Sequence, residues 1–212
     1  MNKELKKLVS KLNWEVTEDE VNSIVGKLGE KAEESKYGVR YYKVLMEIVC
    51  NKVDEEINLK EDEIKYKGLL LGGVAFTTAS IMSSGGGVYY RVVVTNKKIY
   101  SYEFDYFFKL VGKLEYNINE VKSIKLAEEG QDGIIPYEGY KIEFNDGRYL
   151  VLYSINKFSI NKLHDLKDVL VLNGVDYKKL KTKKLATIHY AMMAVVVVGT
   201  IIGIIKACIN IL

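Results

Sequence analysis

Few residues of this chain carry the side chains that metal binding or nucleophilic catalysis requires. There are two histidines, His164 and His189, and neither stands at ligand spacing from a cysteine. The two cysteines, Cys50 and Cys208, are typical of a reducing compartment rather than of a disulfide framework. The glycine-rich residues 83–87 lack the Lys-Ser/Thr ending of a phosphate-binding loop. We therefore predict no catalytic residue, no metal and no cofactor, in a chain that is not an enzyme.

Positive charge is placed unevenly along the chain, whose formal net charge is +3. Six of the 31 lysines and arginines follow Tyr177, where no carboxylate occurs, which leaves 25 basic against 28 acidic groups in the rest. A slightly acidic surface is poorly suited to neutralising many phosphates, so we expect no nucleic-acid partner. Five of the six lysines directly precede a long apolar run: Lys178, Lys179, Lys181, Lys183 and Lys184.

The apolar run, residues 185–205, contains no charge over 21 residues. As a helix it would span about 31 Å, which matches a hydrocarbon core of about 30 Å. The lysines before it indicate that this flank is cytoplasmic. We therefore predict one transmembrane helix, with the lipid bilayer as a partner and the N-terminal domain of a single-pass cell-membrane protein in the cytoplasm. Gly199 and Gly203 form a small-xxx-small pair, from which a homodimer through this helix is a hypothesis.

The first 57 residues show the apolar spacing of amphipathic helices. One stripe recurs from Leu5 to Leu12, and a capping box of Thr17 and Glu20 predicts the start of a second helix. A third helix is predicted from its apolar face, which is made of Tyr42, Met46, Val49 and Val53. These stripes are typical of core, so we assign residues 1–57 to an N-terminal helical region.

From residue 64 to residue 154 the pattern changes to the alternation and tight turns of β-strands. A hairpin is predicted over residues 88–104, with its turn at Asn96 and Lys97. The step from Asp146 to Gly147 predicts a second hairpin turn, since these residue types accept positive φ angles. Residues 128–139, with three glycines and the only proline, are predicted to be a loop.

Residues 68–90 contain no charge, so a second membrane span is an alternative to strand and loop there. Six glycines in this stretch favour a buried strand over residues 68–79 and a loop over residues 83–87. After the strands, residues 154–173 return to helical spacing. Leu163, Leu166 and Leu170 form the stripe of this helix, and Asn173-Gly174 predicts its end.

Three motifs occur in order along the strand region: VVVTNKKIYSY at residues 92–102, INEVKSI at residues 118–124, and the hairpin of residues 144–149. The first resembles the hydrophobic-Thr-Asn/Asp-Lys-Arg-aliphatic-Tyr hairpin of bacterial pleckstrin-homology-like and GRAM-like domains, and the likeness covers about residues 60–173. The resemblance implies two nearly orthogonal antiparallel sheets capped by the C-terminal helix. Family members that bind phosphoinositides use basic residues in and around the first loop, whereas the corresponding residues 83–87 here have no basic residue before Arg91. We predict Arg91, Lys97 and Lys98 as ligand contacts.

The predicted fold is α+β: N-terminal helices, then a pleckstrin-homology-like antiparallel β-sandwich or barrel capped by a C-terminal helix, then one transmembrane helix. The expected domains are residues 1–57, residues 58–175, a basic linker of residues 176–184 and an anchor of residues 185–212. The predicted function is a membrane-anchored cytoplasmic binding or adaptor module that recognises a protein or a lipid at the membrane. The alternative is a structural or assembly component that oligomerises through its transmembrane and N-terminal helices.

Overall fold

The computed structural model of the chain describes residues 1–36, 38–60, 63–72, 89–132, 135–154 and 157–179. Within these ranges it has four α-helices and eight β-strands, so the α+β class is confirmed. Three helices precede the strands: α1 Lys3–Val9, α2 Glu18–Leu28 and α3 Tyr42–Ile57. The predicted capping box is present, because Thr17 Oγ1 accepts a hydrogen bond from Glu20 N at 3.2 Å and the Glu20 carboxylate accepts from Thr17 N at 2.7 Å.

The strands form one hydrogen-bonded sheet. In chain order they are β1 Ile64–Gly72, β2 Tyr89–Thr95, β3 Lys98–Phe104, β4 Leu110–Asn117, β5 Val121–Asp132, β6 Ile135–Phe144, β7 Tyr149–Ser154 and β8 Tyr177–Lys179. Their order across the sheet is β4-β3-β2-β1-β7-β6-β5-β8. Neighbouring strands are antiparallel except for β8, which runs parallel to β5. The fourth helix, α4 Lys157–Leu172, connects β7 to β8.

The sheet is open, which corrects the predicted β-sandwich or barrel. Within the described residues, β4 pairs only with β3 at one end of the sheet, and β8 pairs only with β5 at the other. In the part of the chain that the structure describes, β1 and β7 pair at two positions, Leu71 with Tyr153 and Gly72 with Leu152. The end of β4 meets β6 through side chains, where Tyr116 stacks on Phe144 with ring centroids 3.8 Å apart. Side-chain packing therefore takes the place of the hydrogen bonds that would close a barrel.

The core lies in two layers on opposite faces of β2 and β3. On one face α4 packs its predicted stripe, Leu163, Leu166 and Leu170, and all three side chains are 0% exposed. On the other face the N-terminal helices cover a second cluster that includes Tyr102 and Phe104. Because β2 is covered on both sides, all five of its residues 91–95 are buried. Met1–Lys179 form one compact unit by their contacts, and the domain boundaries stay a prediction.

The loop predicted for residues 128–139 is wrong, because β5 and β6 continue as a long hairpin through most of it. Gly139 lies opposite Tyr153 on β7, and the Tyr153 ring covers the space above the glycine. An aromatic ring over a strand glycine supplies the packing that the glycine lacks. Pro136 is the second residue of β6, close to the strand start, where a missing N–H is tolerated. Neither residue therefore breaks the sheet.

No helix in the described part of the chain is both long and apolar enough to cross a membrane. This finding contradicts two predictions: that the chain is a single-pass membrane protein, and that its fold includes one transmembrane helix. The longest described helices, α3 and α4, have 16 residues each, or about 24 Å, and both carry charged residues. The span predicted over residues 185–205 lies outside the described residues, and of the strand predicted over residues 68–79 only the part up to Gly72 lies within them.

Candidate binding surface

The β3–β4 loop, residues 105–109, is closed by its own hydrogen bonds. Asp105 N donates to the Lys109 carbonyl oxygen at 2.9 Å. The Asp105 carboxylate also accepts from Phe107 N at 2.8 Å and from Lys109 N at 2.9 Å. A short aspartate side chain that bonds nearby backbone amides is a common way to hold a turn. The loop backbone is thus fixed by one acidic residue at its start.

Phe108 fastens the same loop to the protein core. Its side chain is 0% exposed and stacks on Tyr89, with the ring centroids 4.6 Å apart and the planes 10° from parallel. Its φ angle is +63°, in the left-handed region, which costs a non-glycine residue about 1 kcal/mol. Full burial of a phenylalanine side chain contributes about 2 kcal/mol. The packing therefore outweighs the backbone strain.

The neighbouring apolar side chains face outward. Phe107 is 47% exposed and Val111, at the start of β4, is 48% exposed. Lys11 Nζ lies 5.7 Å from the centroid of the Phe107 ring, and Tyr106 meets that ring edge-on with centroids 5.4 Å apart. We call Phe107 and Val111 the apolar tip. An exposed aromatic side chain on a fixed loop, with an exposed valine two residues after that loop, is a candidate surface for binding a partner.

Two lysines and one aspartate lie beside the apolar tip, so the local charge is net positive. Lys11 lies over the Phe107 ring, and Lys109 is the last residue of the loop and is exposed. Neither lysine forms a salt bridge with any residue that the structure describes. Asp105, the nearest carboxylate in the loop, already accepts hydrogen bonds from the loop backbone. The surface is therefore apolar with unneutralised lysines at its side.

Residues of the N-terminal region form hydrogen bonds and an ion pair with β3 and β4, the strands on either side of the loop. Leu110 N donates to the Asn13 side-chain oxygen at 2.8 Å, which ties β4 to the segment after α1. Glu56 at the end of α3 accepts from Trp14 Nε1 and from the Tyr102 hydroxyl, both at 3.3 Å, and pairs with Lys113 of β4. The hydrogen bond from Lys113 and then those from Trp14 and Tyr102 lower the pKa of Glu56. Strands β3 and β4 are thus held by side chains from two N-terminal segments.

The three residues predicted as ligand contacts do not come together. Arg91 is in the middle of β2, is only 7% exposed, and lies on the side of α3. Lys97 and Lys98 are at the β2–β3 turn, about 20 Å farther along the strand at about 3.3 Å per residue. Lys98 pairs with Glu115, and Lys97 is exposed. Whether these residues contact a ligand stays a prediction.

Arg91 makes a bidentate contact with Asp54 of α3. One terminal guanidinium nitrogen of Arg91 lies 2.7 Å from each carboxylate oxygen of Asp54, and Nε lies 3.2 Å from Oδ1. Lys67 of β1 approaches the same carboxylate at 3.7 Å. Paired donors of this kind fix the relative position of two elements. This arginine joins the third helix to the sheet.

Most of the other predicted site residues fall late in the chain. Lys178 and Lys179 lie in β8, and Lys178 is 3.3 Å from Asp176. The remaining predicted residues lie outside the described part of the chain: Lys181, Lys183, Lys184, Gly199 and Gly203.

Residues with catalytic chemistry are used in packing contacts where the structure describes them. Burial raises the pKa of the Cys50 thiol to about 11, so the nucleophilic thiolate is not formed near neutral pH. His164 Nε2 of α4 lies 2.7 Å from Glu138 Oε2 of β6. Within the described residues, no group of three or more His, Cys, Asp or Glu side chains could hold a metal ion.

Sequence reasoning missed the apolar tip. Residues 105–109 read DYFFK between two strands, and two adjacent phenylalanines at a turn can both be taken for core. Strand alternation does not separate the two, because they lie in the turn between β3 and β4. What decides between them is the positive φ of Phe108, which depends on a contact with the distant Tyr89.

No protein-family model matches the sequence, and no curated protein matches it at a significant level. The likeness to pleckstrin-homology-like and GRAM-like domains therefore stays a prediction from the motifs. The class that fold and surface define is an α+β protein with an open eight-stranded sheet and an apolar tip beside one edge of that sheet.

Proposed function

We propose that this chain is a non-catalytic binding module that recognises a protein partner through the apolar tip, Phe107 and Val111. The observation that carries the proposal is the exposure of Phe107, on a loop that the buried Phe108 fixes, together with the exposure of Val111 at the start of β4. Backbone strain persists where surrounding packing maintains it, and it is concentrated at functional sites. The buried Phe108 fixes the loop, and the exposed Phe107 beside it is then available for binding.

The composition of the surface supports a protein partner. Aromatic side chains supply much of the binding energy at protein interfaces, and a polar rim surrounds them. Here the aromatic residue is Phe107, and Lys11 and Lys109 are the polar neighbours. A loop that is already ordered loses little conformational entropy when it binds. The Asp105 hydrogen bonds and the Phe108 packing provide that order.

The roles of the polar residues support a function without catalysis. Arg91 and Asp54 join β2 to α3, and Glu56 joins the N-terminal segments to β3 and β4. The thiol of Cys50 is kept protonated by burial. The Arg91 and Glu56 contacts thus hold α3 and the N-terminal segments on the sheet.

The proposal is tested by crosslinking the full chain to its partners in the cells that make it, followed by quantitative mass spectrometry. The test variant carries Phe107→Ser and Val111→Ser together. The control variant is Tyr149→Ser, because Tyr149 is 53% exposed and has Lys141 Nζ 4.3 Å from its ring centroid. We expect the captured partner to fall about tenfold with the tip variant, a loss of about 1.4 kcal/mol, and to be unchanged with the control.

Both variants alter exposed side chains, so their urea unfolding midpoints should equal that of the parent chain. Equal capture by the parent chain and the tip variant would contradict the proposal. Recovery of crosslinks only between copies of this chain would also contradict it, and would favour the alternative of an assembly component.

A further inference from the structure

We infer that the partner segment is an extended acidic stretch of protein that adds as a strand to the free edge of β4. This inference rests on the proposed function, because it names the chemistry of the partner that the apolar tip recognises. It follows from three features of the same corner of the molecule: the edge of β4, the side chains that leave this edge uncovered, and the local charge.

Within the described residues, β4 offers the longer of the two edges of the sheet. It has eight residues, Leu110–Asn117, whereas the described part of β8 at the opposite edge has three. Among the strands that the structure describes, β3 is the only one that pairs with β4. Leu110 N is already bonded to Asn13 and the Tyr116 ring stacks on Phe144 of β6, so the edge available to a partner is residues 111–115. In an antiparallel pair, alternate N–H and C=O groups of an edge strand point away from the neighbouring strand. A row of such groups is the surface to which an extended peptide adds.

The charged side chains of β4 do not shield this edge. Charged residues on an edge strand normally discourage pairing with another chain. Here Lys113 pairs with Glu56 and lies 5.2 Å from the ring centroid of Tyr102, its direct neighbour on β3. Glu115 pairs with Lys98, which also belongs to β3. Both side chains are drawn toward β3, so they leave the outer edge accessible.

The apolar tip lies at the start of the same strand. Val111 is a β4 residue, where the register shift between Glu103 and Phe104 marks a bulge, and Phe107 is in the loop that leads into β4. An added strand would therefore pass its side chains over the tip. In peptides recognised at sheet edges, main-chain hydrogen bonds give affinity and side-chain contacts give specificity.

The positive charge at the start of β4 favours a partner segment with acidic side chains. Lys11 and Lys109 lie at the tip end of β4 without a salt bridge to any described residue. A second copy of this chain would match poorly: in a symmetric antiparallel pairing of two β4 strands, Leu110 would meet Asn117 and Lys109 would meet Ile118, which has no charge. A lipid surface would attract the lysines but would leave the backbone groups of β4 without partners. An acidic extended segment satisfies both features.

The test measures binding of labelled decapeptides to the full chain by fluorescence anisotropy. The first peptide alternates valine and glutamate, and the second alternates valine and lysine. We expect the acidic peptide to bind about tenfold more tightly at low salt, and to lose this preference as salt is added. Methylating alternate backbone nitrogens of the acidic peptide on the side that faces β4 should weaken its binding about tenfold, because hydrogen bonds to the edge are lost.

The chain variants complete the test. Phe107→Ser with Val111→Ser should weaken the acidic peptide about tenfold, while Tyr149→Ser should leave it unchanged. Absent binding, equal binding of both peptides, or binding that tolerates methylation would overturn the strand-addition inference. If the tip-dependent cellular partner nonetheless remains, the proposed function stands and only this inference fails.

Two further results would also overturn the inference. One is tip-dependent co-sedimentation of the full chain with vesicles of equal parts phosphatidylcholine and phosphatidylserine without peptide binding, which identifies a lipid surface. The other is a dimer in analytical ultracentrifugation that dissociates in the tip variant, which identifies a second copy as the occupant.

Discussion

At the scale of single residues, Arg91 shows that a basic residue in a motif can be used to join elements rather than to bind a ligand. Its guanidinium lies within 2.7 Å of both oxygens of Asp54, and the arginine is almost fully buried. A buried charge needs its partner, because removing one member leaves the other without compensation. Lys67 approaches the same carboxylate at 3.7 Å from a more exposed position.

We predict that Arg91→Ala lowers the free energy of unfolding by about 2 kcal/mol, because Asp54 loses charge-assisted hydrogen bonds. Lys67→Ala is the matched control and should cost less than about 0.5 kcal/mol, as exposed pairs usually do. Urea unfolding of both variants gives the comparison. An Arg91→Ala value as small as that of Lys67→Ala would mean that the bidentate pair contributes no net stability.

At the scale of elements, Gly139 and Tyr153 explain why β6 continues through a glycine-rich segment. A Cβ atom built on Gly139 would lie 2.3 Å from a carbon atom of the Tyr153 ring, which is too close for any real contact. The ring occupies the place of the missing side chain, and the two residues are direct partners in the β6–β7 ladder. The hairpin therefore depends on a contact between strands rather than on strand propensity alone.

We predict that Gly139→Ala destabilises the protein by about 1–3 kcal/mol, since the new methyl group displaces the Tyr153 ring. Gly26→Ala provides a control of opposite sign. Gly26 lies in α2 with open space around its Cα, and alanine there should add about 0.5–1 kcal/mol. Thermal unfolding of the two variants measures both changes. Equal shifts of the two melting temperatures would contradict the role assigned to Tyr153.

At the scale of the whole molecule, the features predicted correctly are those fixed by neighbours in the sequence. The capping box of Thr17 and Glu20 and the stripe of α4 depend on residues three or four positions apart. The sequence patterns did not predict how far β5 and β6 extend, or that the side chain of Phe107 faces solvent. These two features depend on Tyr153 and Tyr89, which lie far away in the sequence. The open sheet likewise depends on which strands pair across it, and residues that are neighbours in the sequence do not determine that order.

Stability of the whole molecule should fall in acid. The Lys52 hydrogen bond, with that of the Thr17 amide, lowers the pKa of Glu20 to about 2, and hydrogen bonds from Lys125 and then Lys141 lower that of Glu143 to about 2. A carboxylate whose pKa is lower in the folded state stabilises the fold above its unfolded pKa of 4.5, and this contribution is lost as pH falls toward 2. Urea unfolding across this range should show a steady decline.

The control for the acid decline is Glu143→Gln, which cannot titrate. Its free energy of unfolding should depend less on pH between about 5 and 2 than that of the parent chain, because one of the linked carboxylates is missing. A slope equal to that of the parent chain would contradict the role assigned to Glu143 and its two lysines.

Stability should also fall in alkali, for the opposite reason. Burial and the nearby Glu56 raise the pKa of Tyr102 to about 12, and burial raises the pKa of Tyr66 and of Tyr140 as well. The unfolded chain then loses these phenolic protons first, so their contribution is complete below the unfolded pKa of 10.0 and is lost as pH rises through the folded values. Urea unfolding above pH 10.0 should show a decline that is shallower in Tyr102→Phe than in the parent chain. An equal slope in both proteins would contradict the linkage. A shallower slope in Tyr102→Phe would confirm that the Tyr102 hydroxyl, which lies next to Glu56, resists ionisation in the folded state. It does so only while the N-terminal helices remain packed on the sheet.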